Sequence, residues 1–181
     1  MQDKKNIGAK LALYPTPLVV VGAIVNDKPN WILIGHLGIM GHDHVMISMA
    51  KAHYTNQGVI ANKALSINIV TQDWLKEADK SGCMSGAKAD KSALFEYTLG
   101  ETGAPLLNKS KLIMECVLED IYETPGFDNF ILTIKNTFAE QDILNDKDII
   151  DYNKLKPVLF EMPTYEYLVT GDVIGKCMKL N

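Results

Sequence analysis

Short apolar runs rich in valine and isoleucine recur along this chain, and they constrain the fold more than any other feature. Runs of this length, either alternating or continuously apolar, are typical of β-strands. We predict strands, in chain order, at 18–25, 31–38, 45–49, 65–70, 112–122 and 130–138. Because strands dominate and few helices separate them, the pattern favours a barrel or a sandwich over a parallel α/β fold.

Two turn signals connect neighbouring strands. Asn26-Asp27-Lys28-Pro29 follows the first run, and Pro125-Gly126 lies between the last two runs. Residues of these types are the common turn formers, so each stretch predicts a tight connection. The second turn indicates that the last two strands form an antiparallel pair.

Two helices are predicted between the strands. The first begins near Thr55, whose hydroxyl could cap free backbone N–H groups, and it runs to about residue 64. The second begins after Thr71, carries Trp74 inward, and ends at Gly82, where we expect a left-handed C-terminal residue. Both helices would lie on the periphery of the strand structure.

The size and charge of the chain exclude several classes of protein. Its 181 residues fit one domain over 1–181 and are too few for two ordinary domains. A net charge of −4 argues against nucleic acid as a partner. The sequence contains no apolar stretch of membrane-spanning length, and the polar start does not resemble a signal peptide. We expect a cytoplasmic protein without a membrane partner.

The cysteines give no sign of a disulfide framework or a zinc site. Cys83, Cys116 and Cys177 are odd in number and widely spaced, without a Cys-x-x-Cys pair. Gly41-His42-Asp43-His44 offers imidazole and carboxylate ligands, but no third histidine follows at a metal-site spacing. A polar loop is the better interpretation, and no metal is expected.

Two clusters of side chains suit a phosphate group. Lys51, His53 and Thr55 come directly after the third apolar run. Ser85, Gly86, Lys88 and Lys91 occupy a loop of small residues after the second helix. Ammonium, hydroxyl and exposed N–H groups are what a phosphate dianion needs.

The dinucleotide and P-loop glycine motifs are both absent from the sequence. The clusters therefore indicate a phosphate-bearing cofactor held by another kind of fold. Ser85-x-x-Lys88 also fits the start of a serine acyl-enzyme motif, but its companion elements are missing, so we interpret it as a chance match.

These features, in this order, resemble the flavin reductase-like, FMN-binding split-barrel family, and within it the flavoredoxin-like branch. The resemblance runs from Tyr14-Pro15-Thr16-Pro17 to Tyr165-Glu166-Tyr167, Gly171 and Gly175. It implies a mainly β protein: an antiparallel split β-barrel with peripheral α-helices. It also implies bound FMN, NADH or NADPH as a possible co-substrate, and a homodimer with the flavin near the subunit interface.

The resemblance assigns positions along the cofactor. The expected FMN-binding residues are Ile34, Gly35, His36, Leu37 and Met49 near the ring, Lys51, His53 and Thr55 at the phosphate and ribityl chain, and Ser85, Gly86, Lys88 and Lys91 in a segment that closes over the cofactor. Asn68 matches a family position, where its amide could instead hold the local backbone. Each residue also has a plain structural alternative: a solvated lysine, a hydrogen-bonded histidine, a helix cap or a flexible loop.

The chain departs from the family in one strand. Members commonly carry a threonine or serine around residues 33–35, and this sequence has no hydroxyl there. His36 also stands where an aromatic or small residue is frequent. It could donate to a reduced flavin or shield its face, or it could be a half-buried packing residue.

Three functions are compatible with this sequence. The first is an NAD(P)H:flavin oxidoreductase, the second a flavoredoxin-type electron carrier that passes electrons to a redox protein, and the third a flavin-free interaction module on the same barrel. Hydride transfer needs two stacked rings more than an acid or a base, so we assign no catalytic residue.

Overall fold

The computed structural model describes residues 3–180. Its strands are β1 (Thr16–Pro17), β2 (Val19–Val25), β3 (Lys28–Ile34), β4 (Leu37–Ile39), β5 (His44–Ala50), β6 (Ala64–Ile69), β7 (Tyr97–Leu99), β8 (Pro105–Leu107), β9 (Leu112–Thr124), β10 (Phe127–Ala139), β11 (Val158–Glu161) and β12 (Glu166–Val169). Its α-helices are α1 (Thr55–Asn62), α2 (Leu75–Cys83) and the short α3 (Tyr152–Leu155).

Seven strands form one curled antiparallel sheet in the order β3-β2-β6-β9-β10-β5-β4. Its inner face encloses the main core, which includes Val19, Ile47, Ile67, Phe130 and Leu132, each fully buried. This architecture confirms the predicted mainly β fold, an antiparallel half-barrel with helices on its outside.

Both predicted turns are present. Asn26 and Asp27 have positive φ values of 50° and 62°, and they connect β2 and β3 as a two-residue hairpin loop. This is the turn geometry that matches the twist of paired strands and that asparagine and aspartate tolerate best. Pro125-Gly126 connects β9 and β10, and Gly126 has a φ of 85°.

The strand prediction for 31–38 is wrong in one respect. The structure starts β3 at Lys28, ends it at Ile34, and places a separate strand, β4, at Leu37–Ile39. The hairpin loop is only two residues long, so Lys28 and Pro29 pair within the sheet. The strands β1, β7, β8, β11 and β12 were not predicted, because runs of two to four residues are too short to show a period.

Helix α1 begins at Thr55 as predicted, but Tyr54 occupies the N-cap position and no side chain caps the helix. The prediction for Gly82 is wrong, because Gly82 lies inside α2 and the next residue after the helix, Met84, is extended. A Cβ at Gly82 would lie 3.1 Å from Cβ of Leu33. This glycine therefore allows α2 to pack closely on β3.

The two ends of the chain meet in a second, three-stranded sheet of order β1-β11-β12. Thr16 pairs with Phe160 and Pro17 with Leu159. The Phe160 ring contacts Gly35, where a Cβ would lie 2.6 Å from Cδ1. Within residues 3–180, no helix is both long and apolar enough to cross a membrane.

Candidate functional site

Two adjoining cavities lie between the start of β3, the start of α1 and the loop after α2. They share Asn30, Tyr54, Gly86 and Lys91 as wall residues, and we call them together the polar cleft. The inner cavity has a volume of about 320 Å³ and the outer cavity about 370 Å³.

The cleft brings together most of the predicted phosphate-binding residues. Residues predicted at the cofactor that line the inner cavity are His53, Thr55, Ser85, Gly86 and Lys91, while Lys88 lines the outer cavity. The two clusters are separated along the sequence by β6 and α2, so the fold is what joins them.

The charges around the cleft favour an anion. The wall of the inner cavity contains Lys91 and no carboxylate. The outer cavity contains three lysines against one carboxylate, Asp90, which pairs with Lys28 at 2.7 Å. A ligand bearing a phosphate would therefore meet net positive charge in both cavities.

Lys91 has a structural role as well as a charge. It is 3% exposed, and its Nζ donates hydrogen bonds to the carbonyl oxygens of Trp31 at 2.8 Å and Ser81 at 2.7 Å. Burial lowers the pKa of this ammonium. Lys91 thus ties β3 to α2 directly beneath the cleft.

The imidazole of His53 lies at the wall of the inner cavity. Its backbone N–H donates to the Ala50 carbonyl and its own carbonyl accepts from Asn56, so a tight turn holds it between β5 and α1. Nδ1 is buried and has no hydrogen-bond partner within residues 3–180. Burial lowers the pKa of His53, and the nearby charge of Lys91 lowers it further. The ring is therefore neutral at pH 7.

Asn30 and Thr55 form a buried pair at the back of the cleft. The Asn30 amide donates to the Thr55 hydroxyl at 2.7 Å, and the two residues are 5% and 1% exposed. Asn30 and Tyr54 also line the cleft, and neither was predicted at the cofactor. A signal for Asn30 existed, because an asparagine opens an otherwise apolar strand segment, and a buried amide needs a partner.

Gly86 allows the loop after α2 to close on the cleft. A Cβ at this position would overlap Oδ1 of Asn30 and lie 2.6 Å from Cδ1 of Tyr54. The loop itself is folded by backbone bonds, in which Lys88 and Ala89 both donate to the Ser85 carbonyl at 3.0 Å. The predicted closing segment therefore forms one wall of the cleft.

Three predicted cofactor residues lie in the core. Met49 and Ile34 point into the barrel interior and are 0% and 5% exposed. Asn68 is fully buried; its amide donates to the Val20 carbonyl and the Ser66 hydroxyl, and its oxygen accepts from the Leu107 N–H. These contacts agree with the alternative that Asn68 holds the backbone, and they place all three residues away from the cleft.

Lys51 faces the hairpin of β9 and β10 instead of the cleft. Its ammonium forms an ion pair with Glu123 and lies 3.8 Å from Asp128. Both carboxylates come from strands far along the chain, so the sequence pattern around Lys51 gave no sign of them. Lys51 is not a wall residue of either cavity of the cleft.

Gly35, His36 and Leu37 line a third cavity of about 240 Å³, which we call the Tyr14 cavity. The Tyr14 hydroxyl and Nε2 of His36 are hydrogen-bonded at 2.5 Å. Because Gly35 has no side chain, the Phe160 ring packs directly against its backbone. The cavity shares no wall residue with the polar cleft.

Gly41, His42 and Asp43 form a polar connection that leads into His44, the first residue of β5. Nδ1 of His44 lies 2.6 Å from Asp43, and Nε2 lies 3.2 Å from Glu119. Across residues 3–180, no group of three or more histidine, cysteine, aspartate and glutamate side chains is arranged to hold a metal ion.

Comparison with solved structures gives close matches over nearly the whole chain. The flavoredoxin from Methanosarcina acetivorans superimposes with a TM-score of 0.93 and 30% sequence identity, covering 98% of this chain and 97% of that one. The flavoredoxin of Desulfovibrio vulgaris (Miyazaki F) gives a TM-score of 0.90 and 30% identity, covering 98% of both chains. The FMN-binding protein from Thermus thermophilus, at 19% identity and a TM-score of 0.81, covers 97% of this chain and 100% of that one and shows the shared fold.

A search among curated proteins gave no match. The model of the flavin reductase like domain matches residues 11–158, which contain the polar cleft and every residue predicted at the cofactor. This match covers most of the chain and agrees with the flavoredoxin superpositions. The chain therefore belongs to the flavin reductase-like family, in its flavoredoxin branch.

Proposed function

We propose that this protein is a flavin-binding redox protein that holds FMN with the phosphate in the polar cleft. One observation supports this proposal most strongly: five residues predicted at the cofactor line one cavity that has no carboxylate in its wall. They are His53, Thr55, Ser85, Gly86 and Lys91. Hydroxyl, imidazole and ammonium groups are the donors that bind a phosphate dianion. The family and the flavin-related names of the solved relatives support the same cofactor.

The residues present fit this cofactor on two further points. Nδ1 of His53 has no hydrogen-bond partner within the described residues. The ammonium of Lys91 donates two of its three hydrogens to backbone carbonyl oxygens. One donor of Lys91 thus stays available beside the inner cavity. When bound, FMN would supply the hydride and single-electron chemistry, while these side chains bind and orient its phosphate end.

The finer activity that we propose is an NAD(P)H:flavin oxidoreductase. The match to the flavin reductase like domain favours it. The second candidate is an electron carrier that receives electrons from one protein and passes them to a redox protein acceptor. The 30% identity to two flavoredoxins over 98% of the chain favours this second function.

We also propose that the protein works as a homodimer. Several apolar side chains are strongly exposed in the single chain, among them Leu13, which lines the Tyr14 cavity, at 80% and Ile39 of β4 at 88%. Covering such side chains in a second copy would remove apolar surface from water. Light scattering during size-exclusion chromatography tests this assembly, and a single chain at micromolar concentration would contradict it.

An FMN titration tests the cofactor, and riboflavin is the matched control because it lacks only the phosphate. We expect FMN to bind with a visible spectral change. Riboflavin should bind at least about tenfold more weakly, because it has no phosphate to interact with the positive charge of the cleft. Equal binding of the two flavins would contradict the placement of the phosphate. A protein that ignores both flavins would instead favour the flavin-free interaction module.

Anaerobic stopped-flow spectroscopy of the FMN-loaded protein separates the two activities. Rapid bleaching by NADH or NADPH is the result expected of the oxidoreductase. A flavin that stays oxidised with both nucleotides but is bleached by dithionite would favour the electron carrier.

A further inference from the structure

His44 lies between two carboxylates at the point where the chain enters β5. Its Nδ1 is 2.6 Å from Oδ1 of Asp43, and its Nε2 is 3.2 Å from Oε2 of Glu119. We call these three side chains the His44 clamp. None of them lines the polar cleft or the Tyr14 cavity. The clamp is therefore separate from both cavities to which cofactor residues were assigned.

A β-bulge in β9 directs Glu119 at His44. The register of β9 against β10 shifts at this point, which leaves Glu119 as an extra residue between Leu118 and Asp120. Bulges of this kind re-aim a side chain through the backbone. The hydroxyl of Thr133 in β10 donates to Oε1 of Glu119 and holds the carboxylate in place. The position of Glu119 is thus built into the sheet.

The clamp needs a proton on both ring nitrogens of His44. An ionised carboxylate can only accept a hydrogen bond, so Nδ1 and Nε2 must both donate. The imidazolium has two N–H groups, whereas the neutral imidazole has one N–H and one acceptor nitrogen. Loss of a proton would therefore leave one nitrogen lone pair facing a carboxylate oxygen. The two contacts hold together only while His44 is charged.

Thr133 offers the neutral ring a different contact. Its hydroxyl lies 3.3 Å from Nε2 of His44, within reach of a hydrogen bond once that nitrogen has lost its proton. A hydroxyl has a single hydrogen to donate, so a bond to Nε2 replaces the bond to Glu119. Deprotonation of His44 would then release Glu119 from both of its partners. The ring would keep its remaining proton on Nδ1 for Asp43.

The charges around the clamp favour the protonated ring near neutral pH. The hydrogen bond to Asp43 raises the pKa of His44 above 6.5, and the charge of Glu119 adds to the effect. Two neighbouring cations act on the carboxylates: His42 lowers the pKa of Asp43, and Lys135 lowers the pKa of Glu119. Strand β4, which pairs with the other side of β5, contains no titratable residue. Both carboxylates therefore stay ionised while His44 titrates.

Backbone hydrogen bonds connect the clamp to residues 40–43, which join β4 to β5. The Met40 N–H donates to the His44 carbonyl at 3.0 Å, and the Ile134 N–H of β10 donates to the Asp43 carbonyl at 2.8 Å. A second register shift in the pairing of β9 and β10 follows directly after Ile134. A change in the contacts of His44 or Asp43 would therefore reach this connection through its own backbone.

We propose that the His44 clamp is a pH-sensitive switch that orders residues 40–43 when His44 is charged and loosens them when it is neutral. In the charged form, the imidazolium ties the start of β5 to Glu119 of β9. In the neutral form, Thr133 donates to the ring and Glu119 is free. The proton passes to solvent, because the side chain of His44 is 33% exposed. Protonation of a histidine between two arrangements of this kind is a known type of pH switch.

The test is a pH titration of the full ¹⁵N-labelled chain between about pH 5.5 and 8.5, followed by NMR. We expect the amide signals of Met40 and Ile134 to shift with the midpoint of the His44 ring, above 6.5. Backbone order parameters of residues 41–43 should lie near the roughly 0.85 of rigid backbone at the acid end and be clearly lower at the alkaline end. The ring ¹⁵N shifts should place the proton of neutral His44 on Nδ1.

Two variants separate the clamp from a general effect of pH. Glu119→Gln keeps the shape of the side chain but removes its charge, so the midpoint of His44 should fall and the amide shift of Met40 should shrink to about half or less. His42→Gln is the control, because it removes a neighbouring histidine and should leave both quantities nearly unchanged.

Three results would overturn the proposal. The first is that the Met40 and Ile134 amides follow the midpoint of His42 or do not titrate. The second is that residues 41–43 keep the same order parameters at both ends of the titration. The third is that neutral His44 carries its proton on Nε2, since Thr133 then has no acceptor nitrogen to bind.

Discussion

The side-chain amide of Asn30 donates a hydrogen bond of 2.7 Å to the hydroxyl of Thr55, and both side chains are buried. Asn30 lies in β3 and Thr55 is the first residue of α1, so this contact connects the sheet to the helix at the back of the polar cleft. It gives Thr55 a different role from the helix cap that the sequence suggested.

The Thr55→Val variant removes this acceptor while keeping the shape of the side chain. We expect the free energy of unfolding to fall by about 1–3 kcal/mol, because the Asn30 amide is then left buried without a partner. Urea denaturation measures the change. Thr55→Ser keeps the hydroxyl and should lose much less. A larger loss in Thr55→Ser than in Thr55→Val would show that the methyl group, and not the hydrogen bond, stabilises the contact.

Replacing Lys91 should affect both stability and cofactor binding. The Lys91→Met variant leaves the carbonyl oxygens of Trp31 and Ser81 without their donor, so we expect a loss of about 2 kcal/mol in unfolding free energy. FMN affinity should fall at least about tenfold, since the inner cavity loses its cation. Lys88→Met, at an exposed position of the same loop, is the control and should change stability by less than about 0.5 kcal/mol. Similar stability losses in both variants would contradict the buried role of Lys91.

A methyl group at Gly86 should move the loop that closes the cleft. In the Gly86→Ala variant the new Cβ overlaps Asn30 and approaches Tyr54, and overpacking of this kind costs about 1–3 kcal/mol. We expect weaker FMN binding, measured by flavin fluorescence, together with a lower urea midpoint. Gly171→Ala is the matched control, because nothing lies within 4 Å of its added Cβ. Unchanged FMN binding by Gly86→Ala would show that the loop is not part of the site.

Protonation of His53 should make the free energy of unfolding depend on pH. Burial holds the pKa of His53 below its ordinary 6.5, so the native state binds fewer protons than the unfolded state between those two values. The free energy of unfolding should therefore rise as the pH increases through this window, and the contribution should level off above about 6.5. Denaturation between pH 5 and 8 measures the slope, and His53→Gln should remove it. An NMR titration that gives His53 a pKa above 6.5 would contradict the burial of its charged form.

His44 should change the stability with pH in the opposite direction to His53. The hydrogen bond that Nδ1 of His44 donates to the Asp43 carboxylate raises the pKa of His44, and Glu119 adds to the effect. This contribution to stability is complete below pH 6.5 and is lost as the pH rises through the higher folded pKa. The Asp43→Asn variant should lower the pKa of His44, as followed by the imidazole NMR signals. Asp146→Asn, in a different loop, should leave it unchanged; an equal decrease in both variants would point to net charge instead of the local contact.

The sequence predicted the long strands, and which residues line the cleft, better than it predicted the side-chain contacts of those residues. The strand predicted at 45–49 is His44–Ala50 in the structure, because a run of alternating apolar residues is a strong local signal. His53, Thr55, Ser85, Gly86 and Lys91 were predicted to share one cofactor, and they line one cavity. The binding of that cofactor stays a prediction.

The sequence did not show partners that come from distant parts of the chain. Lys51, predicted at the phosphate, is paired with Glu123 and lies near Asp128 of the β9–β10 hairpin, and its contact with a phosphate stays a prediction. Gly82 has the composition of a helix end, but its packing against Leu33 keeps it inside α2. The residues next to Lys51 and Gly82 in the sequence do not indicate which distant residues will contact them. Those contacts are seen only in the folded structure.

The pairing of β1 with β11 joins the first strand of the chain to the next-to-last one, with Thr16 opposite Phe160. Thr16 and Phe160 are far apart in sequence, and a ladder of two residue pairs joins their strands. Closing so long a loop is costly in chain entropy, so this edge should form late in folding and open first under native conditions. Amide protons of Thr16 and Phe160 should then exchange with solvent sooner than those of β9 and β10. Because Phe160 packs on Gly35, each such opening would also loosen the wall beside Tyr14 without unfolding the barrel.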